Sequence, residues 1–282
     1  MVRATATGYH YGMMHVTHNS AVHPFGKQLR RWREQRRMSQ LHLALETDIS
    51  TRHLSFIETG RARPSRDMVV RLAEQLSIPL RERNALLVAA GYAPLYRERP
   101  LADDALNAAR EAVELVLQGH EPYPAIAVDR HWQLVMANRA VPLLLNGGAS
   151  ALLQSPVNVL RLSLHPDGLA SKITNLAQWR RHLFQRLRQQ IDVTADPVLV
   201  ELLEELRSYP EPAGAESEPL AGEHLGVAMP LEFITSLGTL RFISTTTVFG
   251  TPVDVTLAEL AVESFFPADK FTAERLQRWN QT

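Results

Sequence analysis

Residues 39–60, SQLHLALETDISTRHLSFIETG, decide the fold of the first third of this 282-residue chain. Their spacing predicts two short helices joined by a tight turn. Ser39 and Ser50 are suited to cap them, because a serine hydroxyl accepts from the free N–H groups of a first helical turn. Gly60 is suited to end the second helix, where a left-handed residue is needed, and Pro64 prevents continuation. Leu43, Ala44, Thr47, Leu54 and Ile57 recur at three- or four-residue spacing and form one inward face. Thr51, Arg52, Ser55 and Thr59 point the other way.

Outward from this stretch, Phe25, Leu29 and Trp32 mark a preceding helix, with Arg30, Arg31, Arg33, Arg36 and Arg37 around its outer face. A fourth helix is expected over 65–76 and a fifth over 80–90, ended by Gly91 and Pro94. Five helices in about 70 residues make one all-helical domain, residues 23–94. The net charge of the whole chain is zero. Residues 23–100, however, carry 15 Lys and Arg against 8 Asp and Glu, while residues 101–282 carry 14 against 22. The helical domain is therefore basic, as a phosphate-neutralising surface requires.

That combination implies DNA reading. A major groove about 12 Å wide admits an α-helix whose first residues reach base edges. Arg52, at the second position of the later helix, has the donor fork for guanine O6 and N7, worth roughly 1–3 kcal/mol of discrimination when bidentate. Thr51, His53 and Ser55 are the other expected base readers, and Phe56 stays open between core and thymine-methyl contact. Ser39 and Gln40 begin the earlier helix, where an amide and backbone N–H groups can hold a phosphate. Arg61, Arg63 and Arg66 are expected to neutralise backbone charge. A merely solvated basic face is the alternative, and helix length, charge and Gln40 together argue against it.

Residues 25–94 resemble the Cro/C1-type, or XRE-type, helix-turn-helix domain, through Ser39, Gln40 and Ala44 at the start and Ile57, Glu58 and Gly60 at the end. The string LSFIETGRARPSRDMVVRLAEQLSIPLRERNALLVAAGYAP, residues 54–94, is more specific and resembles the MmyB-like bacterial regulators. The resemblance continues in AIAVDRHWQLVMANRA (125–140), NVLRLSLHPDGL (158–169) and STTTVFGTPVDVTLAELAVESFFPAD (244–269). It implies a lambda-repressor-like first domain and a PAS-like second domain holding a small hydrophobic, fatty-acid-like effector. Asp48 departs from the motif at a position usually glycine, with a small stability cost expected. Leu41 and Leu45 stand where polar residues are common. Packing against the second domain or a second subunit would explain them, although lone exposed leucines need no explanation.

The remaining chain divides around these domains. Residues 1–22 read as a disordered tail, in or beside which His10, His15, His18 and His23 are more simply incidental than metal ligands. Met13 or Met14 offers an alternative start. Residues 95–104, LYRERPLADD, read as the linker to a second domain over 105–282. Helices are expected over 105–118, 138–145, 176–190 and 197–208, hairpins over 125–137 and 225–249, and a mobile loop over 209–223. Residues 257–266 fit a strand or a helix, and two hairpins in need of partners favour a strand. The second domain is thus α+β, an antiparallel sheet with helices packed on it.

Trp132, Trp179, Phe184, Phe233 and Phe242 are candidate pocket residues, with plain core as the alternative. Arg180, Arg181 and His165 are candidates for an acidic head group or for surface charge. Ser163, His165 and Asp167 lie too close in one loop to form a triad, and no catalytic motif or cofactor fingerprint is present, so no enzyme is expected. A haem sensor lacks an attachment motif. A second domain that only dimerises or binds a protein partner remains open. With no cysteine, no long apolar run and no secretory leader, the expectation is a soluble, cytoplasmic, homodimeric regulator of double-stranded operator DNA, without cofactor, metal or membrane association.

Overall fold

The computed structural model describes residues 25–145, 150–210, 229–249 and 254–279. The tail with its four histidines and nearly all of the loop expected over 209–223 lie outside the described residues. Five helices build the first domain: α1 Phe25–Gln35, α2 Gln40–Glu46, α3 Thr51–Glu58, α4 Arg66–Gln75 and α5 Leu80–Ala89. Leu29, Leu43, Leu54, Ile57, Leu72 and Leu87 form the fully buried centre, at the positions where apolar periodicity puts them.

Each of these helices ends in the same way. A residue with positive φ follows the last turn, namely Arg37, Asp48, Gly60, Ser77 and Gly91. In the turn between α2 and α3, Asp48 (φ 54°) donates its N–H to Leu45 O at 3.3 Å, and Ile49 donates to Ala44 O at 3.0 Å. These two bonds are those of a Schellman ending, so the turn is intact without glycine.

One arginine expected on the outer face lies inside. Arg33 is 8% exposed, and its Nε and Nη2 donate to the Glu58 carboxylate at 2.6 and 2.9 Å. Its Nη1 donates to Met38 O, and Gln40 Nε2 donates to Glu58 Oε2 at 2.8 Å. The pair joins α1 to the last turn of α3, and burial is tolerated because the charges are matched and bonded.

The second domain opens with a short 3₁₀ turn, Asp104–Leu106, and continues through α6 Asn107–Gly119, β1 Ala125–Val128, β2 Leu134–Ala137, α7 Val141–Leu145, α8 Val159–Leu164, α9 Leu176–Thr194, α10 Pro197–Ser208, β3 Pro230–Thr235, β4 Gly238–Val248, α11 Val255–Ala258, β5 Ala261–Pro267 and α12 Lys270–Trp279. The strands form one antiparallel sheet in the order β2-β1-β5-β4-β3. β5 lies between the two hairpins, with Ser264 opposite Ala125 on one side and Thr245 on the other. Residues 257–266 are therefore both alternatives at once, ending α11 and entering β5. α12 was not foreseen. Trp132 is not in a strand but in the β1–β2 turn, with φ 64°.

The sheet is covered on both faces. Ala125, Ala127 and Val262 meet Val113 and Leu117 of α6. The other face packs α8, α9 and α10 through Leu160, Leu162, Trp179, Leu183, Leu187, Leu199 and Leu206. Residues 95–104 are firmly held. Asn84 Oδ1 accepts from the N–H groups of Leu95 and Tyr96, Val255 N–H donates to Arg97 O, and Thr256 Oγ1 donates to Arg99 O.

Candidate functional site

The first candidate surface is built by α2 and α3. The Oγ of Ser39 accepts from His42 N–H and that of Ser50 from His53 N–H, each at 3.1 Å. Both helices thus begin with remaining first-turn N–H groups facing outward, a positive end for phosphate. On α3, Arg52 is exposed, while Thr51, His53 and Ser55 are partly so. The Arg52 guanidinium lies 5.3 Å from the centre of the Phe56 ring, so Phe56 is partly a platform for it and not solely core.

The residues expected at phosphate differ in their freedom. Arg61 and Arg66 are exposed. Arg63 donates through Nε and Nη2 to Ala90 O at 3.3 and 3.2 Å and lies over Tyr92, so it also closes the end of α5. Gln40 has one amide N–H committed to Glu58. Leu41 and Leu45 are 59% and 71% exposed, so the second domain of the same chain does not cover them.

The second candidate is an apolar cavity of about 110 Å³ between the sheet and α7, α8 and α9. Trp132, Trp179 and Phe233 line it, joined by Val141, Leu144, Leu162 and Leu183. Phe184 and Phe242 do not line it: Phe242 is wholly buried in the core and Phe184 lies under the Arg180 guanidinium. Arg180 itself donates to the carbonyls of Leu206, Arg207, Tyr209 and Pro210, which closes α10 and leaves no fork for a head group. His165 stacks edge-on against Tyr209 and accepts from Asp167 N–H. Burial, followed by a bond to Glu205, pushes the Tyr209 phenol up to about 12.

The charged residues at this cavity are ones that sequence reasoning missed. Arg186 of α9 donates to Glu263 of β5 at 2.5 and 3.0 Å and to Thr246 Oγ1 at 2.6 Å, with its guanidinium 4.9 Å from the Trp132 ring centre. Glu263 is 3% exposed. Trp132 Nε1 donates to Gln190 Oε1 at 2.8 Å. The available signal was a carboxylate inside the largely apolar run AVESFF (261–266), since on a covered strand Glu263 needs a cation.

α9 connects this cavity to the first domain. Its early turns carry Trp179 and Leu183, and its last carbonyls accept from the end of α1 and the residue after it: Gln35 Nε2 and Arg36 Nη1 donate to Asp192 O, and Arg36 Nη2 donates to Val193 O. A second joint pairs Arg81 of α5 with Glu259 at 2.8 and 2.9 Å. Between the joints lies a cleft of about 430 Å³, walled by Pro79, Arg81 and Glu82 from the first domain and by β-strands and α9 from the second.

Ser163 and His165 are engaged apart from one another. Ser163 Oγ accepts from Trp179 Nε1 at 3.0 Å, and the His165 ring engages Asp167 and Tyr209 instead of Ser163. Among the described residues, no group of three His, Asp or Glu side chains is placed to hold a metal ion, and no helix is long and apolar enough to cross a membrane.

The family model for the MmyB-like transcription regulator ligand binding domain matches residues 109–278, and a helix-turn-helix model matches residues 29–83. No curated protein matches the sequence. A solved structure, "Structure of an RNA-binding Light-Oxygen-Voltage Receptor", is similar over 90% of this chain, at 13% identity and a TM-score of 0.28. This chain spans 62% of that one.

Proposed function

This chain belongs to the MmyB-like transcription regulators, and from that premise we propose that it binds operator DNA through α2 and α3 under the control of a small hydrophobic effector. α3 enters the major groove, with Arg52 reading a guanine edge and Thr51, His53 and Ser55 its neighbours. Ser39, Gln40, Arg61, Arg63 and Arg66 engage phosphates. The protein acts as a homodimer on half-sites about one helical turn apart, which lets the effector alter the spacing of two recognition helices. The effector's apolar part occupies the cavity beside Trp179 and Leu162, where each buried methylene contributes about 0.8 kcal/mol.

One observation carries the control: α9 forms a wall of the cavity and its last carbonyls are bonded by Gln35, which ends α1, and by Arg36 just after it. A ligand that moves α9 therefore acts on the domain bearing α3. Control requires that the effector bind the two arrangements with different affinity. The test is operator binding by fluorescence anisotropy with and without the molecules extracted from purified protein and identified by mass spectrometry. Leu162→Trp, which fills the cavity, is expected to abolish the response and keep operator binding. A response that survives Leu162→Trp refutes the cavity assignment.

A further inference from the structure

The apolar cavity holds about 110 Å³, whereas sites for small molecules span about 300–1,000 Å³. An occupant must therefore displace part of the wall. Trp132, Arg186 and Glu263 line both the cavity and the interdomain cleft, and so stand between the two spaces. Arg186 and Glu263 are bonded to each other, with Glu263 3% exposed, and separating a buried ion pair costs far more than breaking one neutral hydrogen bond. The Trp132 indole is held by one such bond, to Gln190 Oε1, and by the Arg186 guanidinium over its ring. Trp132 is the part of the wall that yields.

Its backbone is poised to do so. Trp132 has φ 64°, in a hairpin turn where a left-handed position ordinarily takes glycine. The other non-glycine residues with positive φ among those described, Arg37, Asp48, Ser77 and Ala195, each close a helix. Trp132 closes none. The strain persists because its neighbours over-determine the turn. Asp129 Oδ1 accepts from the N–H groups of His131 and Gln133, Val159 N–H donates to Trp132 O, and Asn158 Nδ2 donates to His131 O. Gln190 clasps the turn twice, accepting from the indole and donating through Nε2 to Arg130 O at 2.8 Å.

The same turn reaches the joint with the first domain. Arg130 Nη1 lies 3.6 Å from Glu259 Oε1, and Glu259 is the carboxylate that Arg81 of α5 holds through Nε and Nη2. One carboxylate is thus shared by an arginine of the strained turn and an arginine of the DNA-binding domain.

We propose that Trp132 is the gate of the effector site. An apolar chain entering the cavity displaces the indole from Gln190, the turn relaxes from its left-handed backbone, and Arg130 withdraws from Glu259. Glu259 is then left to Arg81, which tightens the joint at α5. The inference rests on the apolar-effector reading above and adds the moving part and its route to the first domain.

The test uses the full chain labelled with 5-fluorotryptophan and titrated with decanoate. The fluorine resonances of Trp132 and Trp179 are assigned through Trp132→Phe and Trp179→Phe. Expected is that decanoate shifts both Trp179, which lines the cavity but not the cleft, and Trp132. Gln190→Leu removes the indole's acceptor and is expected to raise decanoate affinity in isothermal titration by about threefold to tenfold, the worth of one neutral hydrogen bond. A merely structural role for Gln190 would lower the thermal midpoint without tightening the ligand. Decanoate is further expected to slow amide exchange in the first turn of α5, and Arg130→Ala to abolish that effect. A shift of Trp179 with Trp132 unmoved, or no gain of affinity in Gln190→Leu, overturns the gate and leaves the cavity assignment standing. Unchanged exchange in α5, or slowing that survives Arg130→Ala, overturns the route through Glu259. Failure of decanoate to move either resonance overturns gate and cavity assignment together.

Discussion

Glu58→Gln tests what holds α3 in place. In the folded chain the Glu58 side chain is 1% exposed and accepts from Arg33 Nε, Arg33 Nη2 and Gln40 Nε2, at 2.6, 2.9 and 2.8 Å. The amide keeps the shape but removes the charge and turns one acceptor into a donor facing the guanidinium. Arg33 is then a buried cation whose nearest carboxylate is the exposed Glu34, 3.9 Å from its Nη2, a weak substitute for the lost bonded pair, whose breaking costs about 3–5 kcal/mol. Read as hydrogen exchange of α1 and α3 amides in the full chain, this is roughly two to three and a half orders of magnitude faster opening, up to the limit set by global unfolding. Arg33→Met combined with Glu58→Leu removes both charges and is expected to recover most of the protection, because matched apolar replacements of a buried pair are commonly tolerated. Exchange in Glu58→Gln within tenfold of the unmodified protein would refute the reasoning and show that water reaches the pair.

Further single substitutions have defined outcomes. Arg52→Ala relaxes preference at one base pair by roughly 1–3 kcal/mol in competition titrations, whereas Arg66→Ala weakens all sequences alike and lowers the salt slope by about one. Arg63→Ala behaves like Arg66→Ala toward DNA but also speeds amide exchange at the end of α5, where it bonds Ala90 O. Asp48→Gly raises the thermal midpoint, since relief of a left-handed non-glycine residue contributes about 1 kcal/mol. Glu82, whose folded pKa is raised by burial, contributes stability that is full below its unfolded pKa and is lost as pH rises through the folded value; in melts against pH, Glu82→Gln is expected to flatten that decline.

Much of the first domain was legible because its signals are local. Serine caps, an apolar stripe and a terminal glycine each act within one or two turns, and all five helices lie where periodicity predicts them. Arg33 was misread for the opposite reason: its partner Glu58 is 25 residues away, and nothing in α1 announces it. The same limit applies in the second domain. The strands of both hairpins could be read, but β5 is inserted between them by long-range pairing, and residues 257–266 have no single period because they cross from a helix into a strand. Trp132, Trp179 and Phe233 could be named as cavity candidates by type alone. Arg186 could not, because its meeting with Glu263 spans 77 residues.

The joints between the domains give the long-range contacts a common purpose. Arg36 donates to Leu76 O and Ser77 O within its own domain as well as to Asp192 O and Val193 O at the end of α9. One guanidinium therefore ties the end of α4 to the end of α9, both of which present unpaired carbonyls. Arg81 makes the matching tie from α5 to Glu259, immediately before β5. β5 and α9 are the two elements joined by Arg186 and Glu263 at the cavity. Displacement of either by an occupant is thus delivered to a separate point on the DNA-binding domain, α1 in one case and α5 in the other. Unequal displacement of the two rotates that domain instead of merely shifting it. In the proposed homodimer, rotation is the motion that changes the angle of α3 relative to the second copy, so on that reading Arg36→Ala and Arg81→Ala should each uncouple effector from operator while leaving both binding events intact. Loss of operator binding in the absence of effector would instead show that these ties hold the DNA-binding domain together.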